Sequence, residues 1–361
     1  MAYRLAMLPL ALFLSLAAVS AGSPPAGEPL LRFVEAPHSL RSATFSPAGE
    51  SLFLVDPEAG AIRVYGLQGR LVRTVKHPGL GELDFNQPGD LVPWKGGFLL
   101  DSASLHLLWL DAGLNPLRGW ILPSRANPPD ARDVVSDRGS PVQEIAVWQA
   151  LPLGEQAVVL TGDYLDAKGW RHGVARLEGG NPLRLTVLTE RRVDDPRYLY
   201  EIHQRPNLAA VGDEVYELRF GSSPSVERVL PSARHVALPR PFDAPLPALT
   251  GLGGRSGYLH LFAKLRTVPL PAAIQSWRNG LYLLTWTPQA GALQWDLWRW
   301  SAPGWRGPLR LAAPAQARDI LMVPGPAHWA FLFRPAPSTP EKQDVLGFRV
   351  LDSTEIERRL R

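Results

Sequence analysis

The chain has 361 residues, a net charge of +4, 36 prolines, 32 glycines, 12 tryptophans and no cysteine. The lack of cysteine excludes disulfides, thiolate metal sites and a lipid-modified cysteine anchor. The small charge is not the dense basic patch of a nucleic-acid binder, and so much proline and glycine predicts many short strands joined by turns rather than long helices.

At the N-terminus, Arg4 is the only charge before Glu28, Leu5 to Val19 form an apolar run, and Val19-Ser20-Ala21 supplies small residues. This is the pattern of a secretory signal peptide, with cleavage expected after Ala21 and the mature chain running over 22–361. The run is short of the roughly 20 residues that a spanning helix needs, and nothing further on reads as a membrane span. An exported chain without cysteine suits a bacterial periplasm or exterior.

The strands begin near Arg41 and show a repeat. Phe53-Leu54-Val55-Asp56 and Phe98-Leu99-Leu100-Asp101 stand 45 positions apart in matching surroundings. A short apolar run and a turn precede each, and two further strands with a glycine turn follow. A repeat of this length made of short strands predicts a β-propeller blade. Six blades can be laid out: 41–75, 89–122, 143–188, 208–236, from near 272 with Asn279-Gly280 as a hairpin turn, and 319–352. In blade three a long hairpin is expected over 162–169. Pro- and Gly-rich insertions fall near 124–140 and 238–271. The last blade shows only three strands, and a closed ring leaves no raw sheet edge, so Pro29 to Glu35 is expected to close it as the missing strand. The end, Arg358-Arg359-Leu360-Arg361, reads as a solvated tail.

The run Ala43-Thr44-Phe45-Ser46-Pro47-Ala48-Gly49, then Leu52 to Asp56, Ile62-Arg63-Val64-Tyr65 and Gly69-Arg70-Leu71-Val72, resembles a blade of the NHL-repeat type, and blade two is similar with Asp111-Ala112-Gly113 in its last turn. The resemblance covers about 80 residues and implies an all-β, six-bladed propeller whose central channel and loop-bearing face carry function. Such blades occur in proteins of many activities, so no catalytic residue carries over.

No catalytic signature emerges. Ser256 in Gly254-Arg255-Ser256-Gly257-Tyr258 lacks the second glycine of a nucleophile elbow, and Gly251 to Arg255 has no phosphate-loop lysine. The histidines are scattered singly, and Asp163 and Asp166 read as turn formers. Asp56 and Asp101 end equivalent strands, where a carboxylate accepts turn N–H groups; the alternative is a row of carboxylates holding a cation. The expectation is therefore an exported, non-enzymatic binding module for an envelope protein or a small or glycan ligand, with no nucleic-acid partner, no catalytic residue and no dedicated metal ligand. The basic, aromatic insertion supplies Arg255, Tyr258, His260 and Lys264 as ligand-binding candidates. Trp298 and Trp300 join them as an aromatic face, with interblade packing as the other reading. No cofactor is expected beyond room for a divalent cation such as calcium. The alternative function is a metal-dependent lactone or ester hydrolase centred in the channel, as in the lactonase-like propellers that hold a metal through Glu, Asn and Asp.

Overall fold

A computed structural model describes residues 29–79, 81–102, 106–124, 134–137, 139–167, 169–179, 183–191, 207–247, 263–302, 304–335 and 345–361. The segment over 1–21 read as a signal peptide lies outside them. The chain forms six antiparallel sheets in sequence order. Blade one comprises β1 (Ala43–Phe45), β2 (Ser51–Asp56), β3 (Ala61–Gly66) and β4 (Leu71–Val75). Blade two comprises β5 (Pro88–Trp94), β6 (Gly97–Ser102), β7 (His106–Leu110) and β8 (Pro116–Ile121). Blade three has β10 (Glu144–Leu153), β11 (Ala157–Asp166), β12 (Gly169–Glu178) and β13 (Leu183–Arg191), with β9 (Val134–Ser136) added in parallel outside β13. Blade four runs through β14 (Leu208–Val211), β15 (Glu214–Phe220), β16 (Pro224–Leu230) and β17 (Arg234–Val236). Blade five has β18 (Leu270–Trp277), β19 (Gly280–Gln289), β20 (Ala292–Ser301) and β21 (Gly304–Leu311). Among the described residues blade six has β22 (Asp319–Pro324), β23 (His328–Arg334) and β24 (Gly347–Asp352).

The first strand of each blade lies beside the first strands of the blades on either side, and β22 returns to β1, which makes the ring. Second strands are buried on both faces, as in the Gly97–Ser102 strand, because each blade packs against two neighbours. The topology gives the ring two unlike faces. First-to-second and third-to-fourth hairpins emerge on one, here the turn face. Second-to-third hairpins and blade-to-blade connections emerge on the other, the crossover face.

The expected N-terminal closure is present but shorter than a full strand. Leu31 makes a single antiparallel bridge to Phe348, with both N–H···O distances 2.9 Å. Side chains carry the rest. The Phe33 ring lies between Phe348 (4.4 Å) and Tyr65 (4.7 Å), so one residue joins blade six to blade one. The Tyr65 hydroxyl donates to the Glu35 carbonyl at 2.6 Å, and burial pushes the phenol up to about 12. Gly69 (φ 80°) is needed here, because a Cβ would collide with the Arg32 carbonyl.

Three expectations are corrected. The hairpin of blade three is not a long loop over 162–169; β11 and β12 pair continuously from Ala157↔Glu178 to Asp166↔Gly169. Asp163 accordingly sits inside a strand, not at a turn. The C-terminus is not a solvated tail: Ser353–Arg359 is an α-helix capped by Asp352, and Ile356 and Leu360 are buried. The basic residues misled because Arg358 and Arg359 are absorbed locally by Glu355, while the two apolar residues four positions apart dock the helix.

Candidate functional site

On the turn face, the first hairpins of blades two and five share one local design. In blade two, Trp94 pairs with Gly97 across a two-residue turn, and Lys95 (φ 50°) and Gly96 (φ 75°) both adopt the left-handed conformation such a turn requires. Glycine does this freely, whereas lysine incurs a cost of about 1–2 kcal/mol. The Lys95 ammonium lies 4.4 Å from the Trp94 ring centroid and 5.1 Å from that of Trp109, a cation–π arrangement that offsets about 0.5–1 kcal/mol of it. The Trp94 indole N–H donates to the Gly154 carbonyl in the first hairpin of blade three at 2.9 Å. Blade five repeats the tryptophan, the cation over its ring and the bond to the next blade. Trp277 pairs with Gly280, Arg278 has φ 51°, its guanidinium lies 4.1 Å from the Trp277 ring, and the indole donates to the Gly325 carbonyl of blade six at 2.9 Å. Blades two and five stand opposite each other in the ring.

Beside Trp94 a cleft of about 470 Å³ opens between blades two and three. That volume is in the range of small-ligand sites. Its two walls differ in chemistry. The blade-two wall is aromatic and cationic, with Trp94, Lys95, Arg118 and Trp120; the Arg118 guanidinium stacks 4.9 Å from the Trp120 ring. The blade-three wall is apolar at depth (Val158, Leu177) and anionic at the rim (Glu155, Glu178). Glu178 pairs with Arg176 at 2.8 Å. A second hollow of about 350 Å³ lies at the channel mouth among the first hairpins of blades one, two and six, and shares Trp94 and Lys95 with the cleft.

The crossover face is knitted by buried polar pairs. The Asp56 carboxylate accepts the backbone N–H groups of His38 (2.9 Å), Ser39 (3.2 Å) and Ala59 (3.2 Å) and pairs with Arg63 at 2.9 Å. It is a turn former that also anchors the N-terminal strap. Arg41 reaches from blade one to Asp90 of blade two (3.9 Å) and the Trp148 carbonyl of blade three (3.5 Å). Within blade three His172 Nδ1 lies 2.5 Å from Asp163 on the neighbouring strand, and between blades three and four the Gln149 amide oxygen accepts the N–H groups of Asn207 and Leu208. Among the described residues no three His, Asp or Glu side chains converge to hold a metal ion.

Of the candidate ligand residues, Arg255, Tyr258 and His260 lie outside the described residues. Lys264 is exposed on a single helical turn over 263–265. Trp298 and Trp300 are partly buried in packing between blades. The Trp298 indole donates to Thr285 Oγ1 at 3.0 Å and its ring meets Phe242 edge-on at 6.1 Å. Trp300 packs edge-on against Trp305 at 5.3 Å, and Trp305 donates to the Ala237 carbonyl. These tryptophans therefore seat the segment after blade four against blade five. The cleft beside Trp94 was missed, although Trp94-Lys95-Gly96-Gly97 and Trp277-Arg278-Asn279-Gly280 form a repeated Trp-cation-X-Gly signal in the sequence.

Fold and cleft together define a six-bladed β-propeller with an inter-blade cavity on its turn face. No protein-family model and no curated protein matches the sequence. Among solved structures, the chain is similar to a DUF4221 family member from Bacteroides vulgatus (12% identity, TM-score 0.54, covering 90% of this chain and 96% of that one). It is also similar to a presumed exported protein from Bacteroides fragilis (10% identity, TM-score 0.53, 91% and 95% covered). A gluconolactonase from Xanthomonas campestris matches at 11% identity and a TM-score of 0.45, with 87% and 88% covered. At such identities the likeness shows the propeller fold alone.

Proposed function

We propose that this chain is an exported binding propeller of the bacterial envelope that takes its ligand in the cleft between blades two and three. The observation that carries the reading is the pairing of an aromatic, cationic wall with an apolar, anionic one around about 470 Å³. Tryptophan faces, buried aliphatic side chains and charges of both signs are recognition chemistry. The test is a binding screen of the mature chain against peptides and oligosaccharides, followed by substitution of the cleft. Binding should be lost in Trp120→Ala and Leu183→Asp but kept in Lys264→Ala. Binding indifferent to the cleft substitutions and lost in Lys264→Ala would return the site to the insertion over 238–271. Export is checked separately by N-terminal sequencing of chain produced in a bacterial host, with Gly22 expected as the first residue.

A further inference from the structure

Resting on that reading, we infer that the occupant of this cleft is a short amphipathic helix of a partner protein. The reason lies on the opposite side of the ring. The gap between blades five and six is related to this cleft by half a turn about the channel, and the chain fills it with its own C-terminal helix, Ser353–Arg359. Ile356 and Leu360 are its buried anchors, and Leu360 lies against Gly307 of β21.

Register makes the correspondence specific. Trp94 matches Trp277, and the carbonyls they bind, Gly154 and Gly325, match each other. Across blade two, Leu99 pairs with Trp109 and Trp109 with Arg118; across blade five, Tyr282 pairs with Arg299 and Arg299 with Arg306. Arg118 thus stands where Arg306 stands, and Arg306 donates to the Arg361 carbonyl just beyond the helix at 3.1 Å. Trp120 stands where the buried Leu309 stands, since each pairs with the matching leucine, Leu107 or Leu297. At the other end, Ala157 pairs with Glu178 as His328 pairs with Asp352, so Glu178 occupies the position of the N-capping Asp352. In blade three β13 follows β12 instead, and among the described residues no segment fills the gap.

The charges match the same occupant. A helix carries partial positive charge at its N-terminus and negative charge at its C-terminus. Glu155 and Glu178 lie at the end where the N-terminus would sit, and Arg118 where the C-terminus would. A docked helix presents apolar residues at i and i+4 to Trp120, Val158 and Leu183, with its C-terminal carbonyls towards Arg118.

The test displays twelve-residue peptides against the full-length mature chain in two libraries, one helix-forming and one proline-punctuated and extended, beside an oligosaccharide panel. Helix formers with apolar residues four apart should be enriched. Their affinity should fall about tenfold or more for Arg118→Glu, a surface substitution that leaves the thermal transition in place, and for Leu183→Asp. Enrichment of extended peptides or oligosaccharides alone overturns the helix while the binding reading stands. Enriched helices whose affinity Arg118→Glu and Leu183→Asp leave unchanged bind elsewhere, and overturn both the helix in this cleft and the cleft as the binding site. No binder of any kind overturns both.

Discussion

Truncating the anchors of the C-terminal helix tests the packing argument from which the cleft's occupant was inferred. Ile356 and Leu360 are each 1% exposed, and each →Ala change removes roughly 2–5 kcal/mol of burial and packing. A helix of seven residues has no stability of its own in water, where isolated helices shorter than about 12–15 residues are marginal. The double variant, Ile356→Ala with Leu360→Ala, should therefore release the helix rather than leave it docked over a cavity. The loss then stops at the docking energy, about 4–6 kcal/mol from two side chains at 2–3 kcal/mol each. Amide exchange is the direct assay, because the Leu360 N–H is held by the Ile356 and Glu357 carbonyls at 3.1 and 3.2 Å. Its protection should vanish while strand amides in blades one to four stay protected. Thermal unfolding should shift down by roughly 5–15 °C, at a few degrees per kcal/mol for a chain of this size. Arg358→Ala, whose side chain is 69% exposed, should move it by a degree or less. An unchanged transition and a protected Leu360 amide in the double variant would refute the reasoning.

Three further outcomes follow from particular residues. Asp56→Ala strips three backbone N–H groups of their acceptor and leaves Arg63 half-buried without its carboxylate, so it should cost about 3–5 kcal/mol in urea unfolding; a loss under 1 kcal/mol would show the network to be dispensable. Trp277→Phe keeps an aromatic ring but deletes the pyrrole half of the indole together with its N–H donor to the Gly325 carbonyl, which still accepts from Ser353 Oγ at 3.3 Å. The expected cost in urea unfolding is about 1–3 kcal/mol, one hydrogen bond plus a small void, against roughly 3–5 for Trp277→Ala, and equal costs would discount packing of the remaining ring. Acid should loosen the C-terminal helix. Hydrogen bonds from Arg358 and Arg359 hold Glu355 down at about 2, against an ordinary 4.5, and the Glu355 and Thr354 N–H groups hold Asp352 below its ordinary 3.8. Carboxylates depressed by folding contribute stability above their ordinary values and lose it as pH falls through the folded ones. The Thr354 amide resonance should therefore move to its undocked position between about pH 4.5 and 2, and a helix that tightens over this range would reverse the sign of the argument.

Much of the ring was legible because blades are local objects. Each meander draws its strands from some 40 consecutive residues, and turns such as Asn279-Gly280 and Gly96-Gly97 punctuate them at close range. The closing role of Pro29 to Glu35 followed from counting three strands in the last blade. The helix at 353–359 was not legible, since a seven-residue segment with four charges reads as tail until something apolar lies beneath Ile356 and Leu360. Trp298 and Trp300 stood out as an aromatic face by alternation, but alternation does not say whether that face meets solvent or the segment around Phe242.

The sequence by itself determined the six meanders, their turns outside blade three and the strap that joins the last to the first, because hydrophobic period and turn chemistry act over a few residues. Only the tertiary structure decided which gap between blades stays open. Blades two and five carry the same tryptophan turn, yet the chain continues into a helix after β24 and turns back into a strand after β12. The gap beside Trp277 is therefore filled from within, while the one beside Trp94 stays open among the described residues. That difference arises from which segments meet across blades distant in sequence, and no local pattern of residues encodes it.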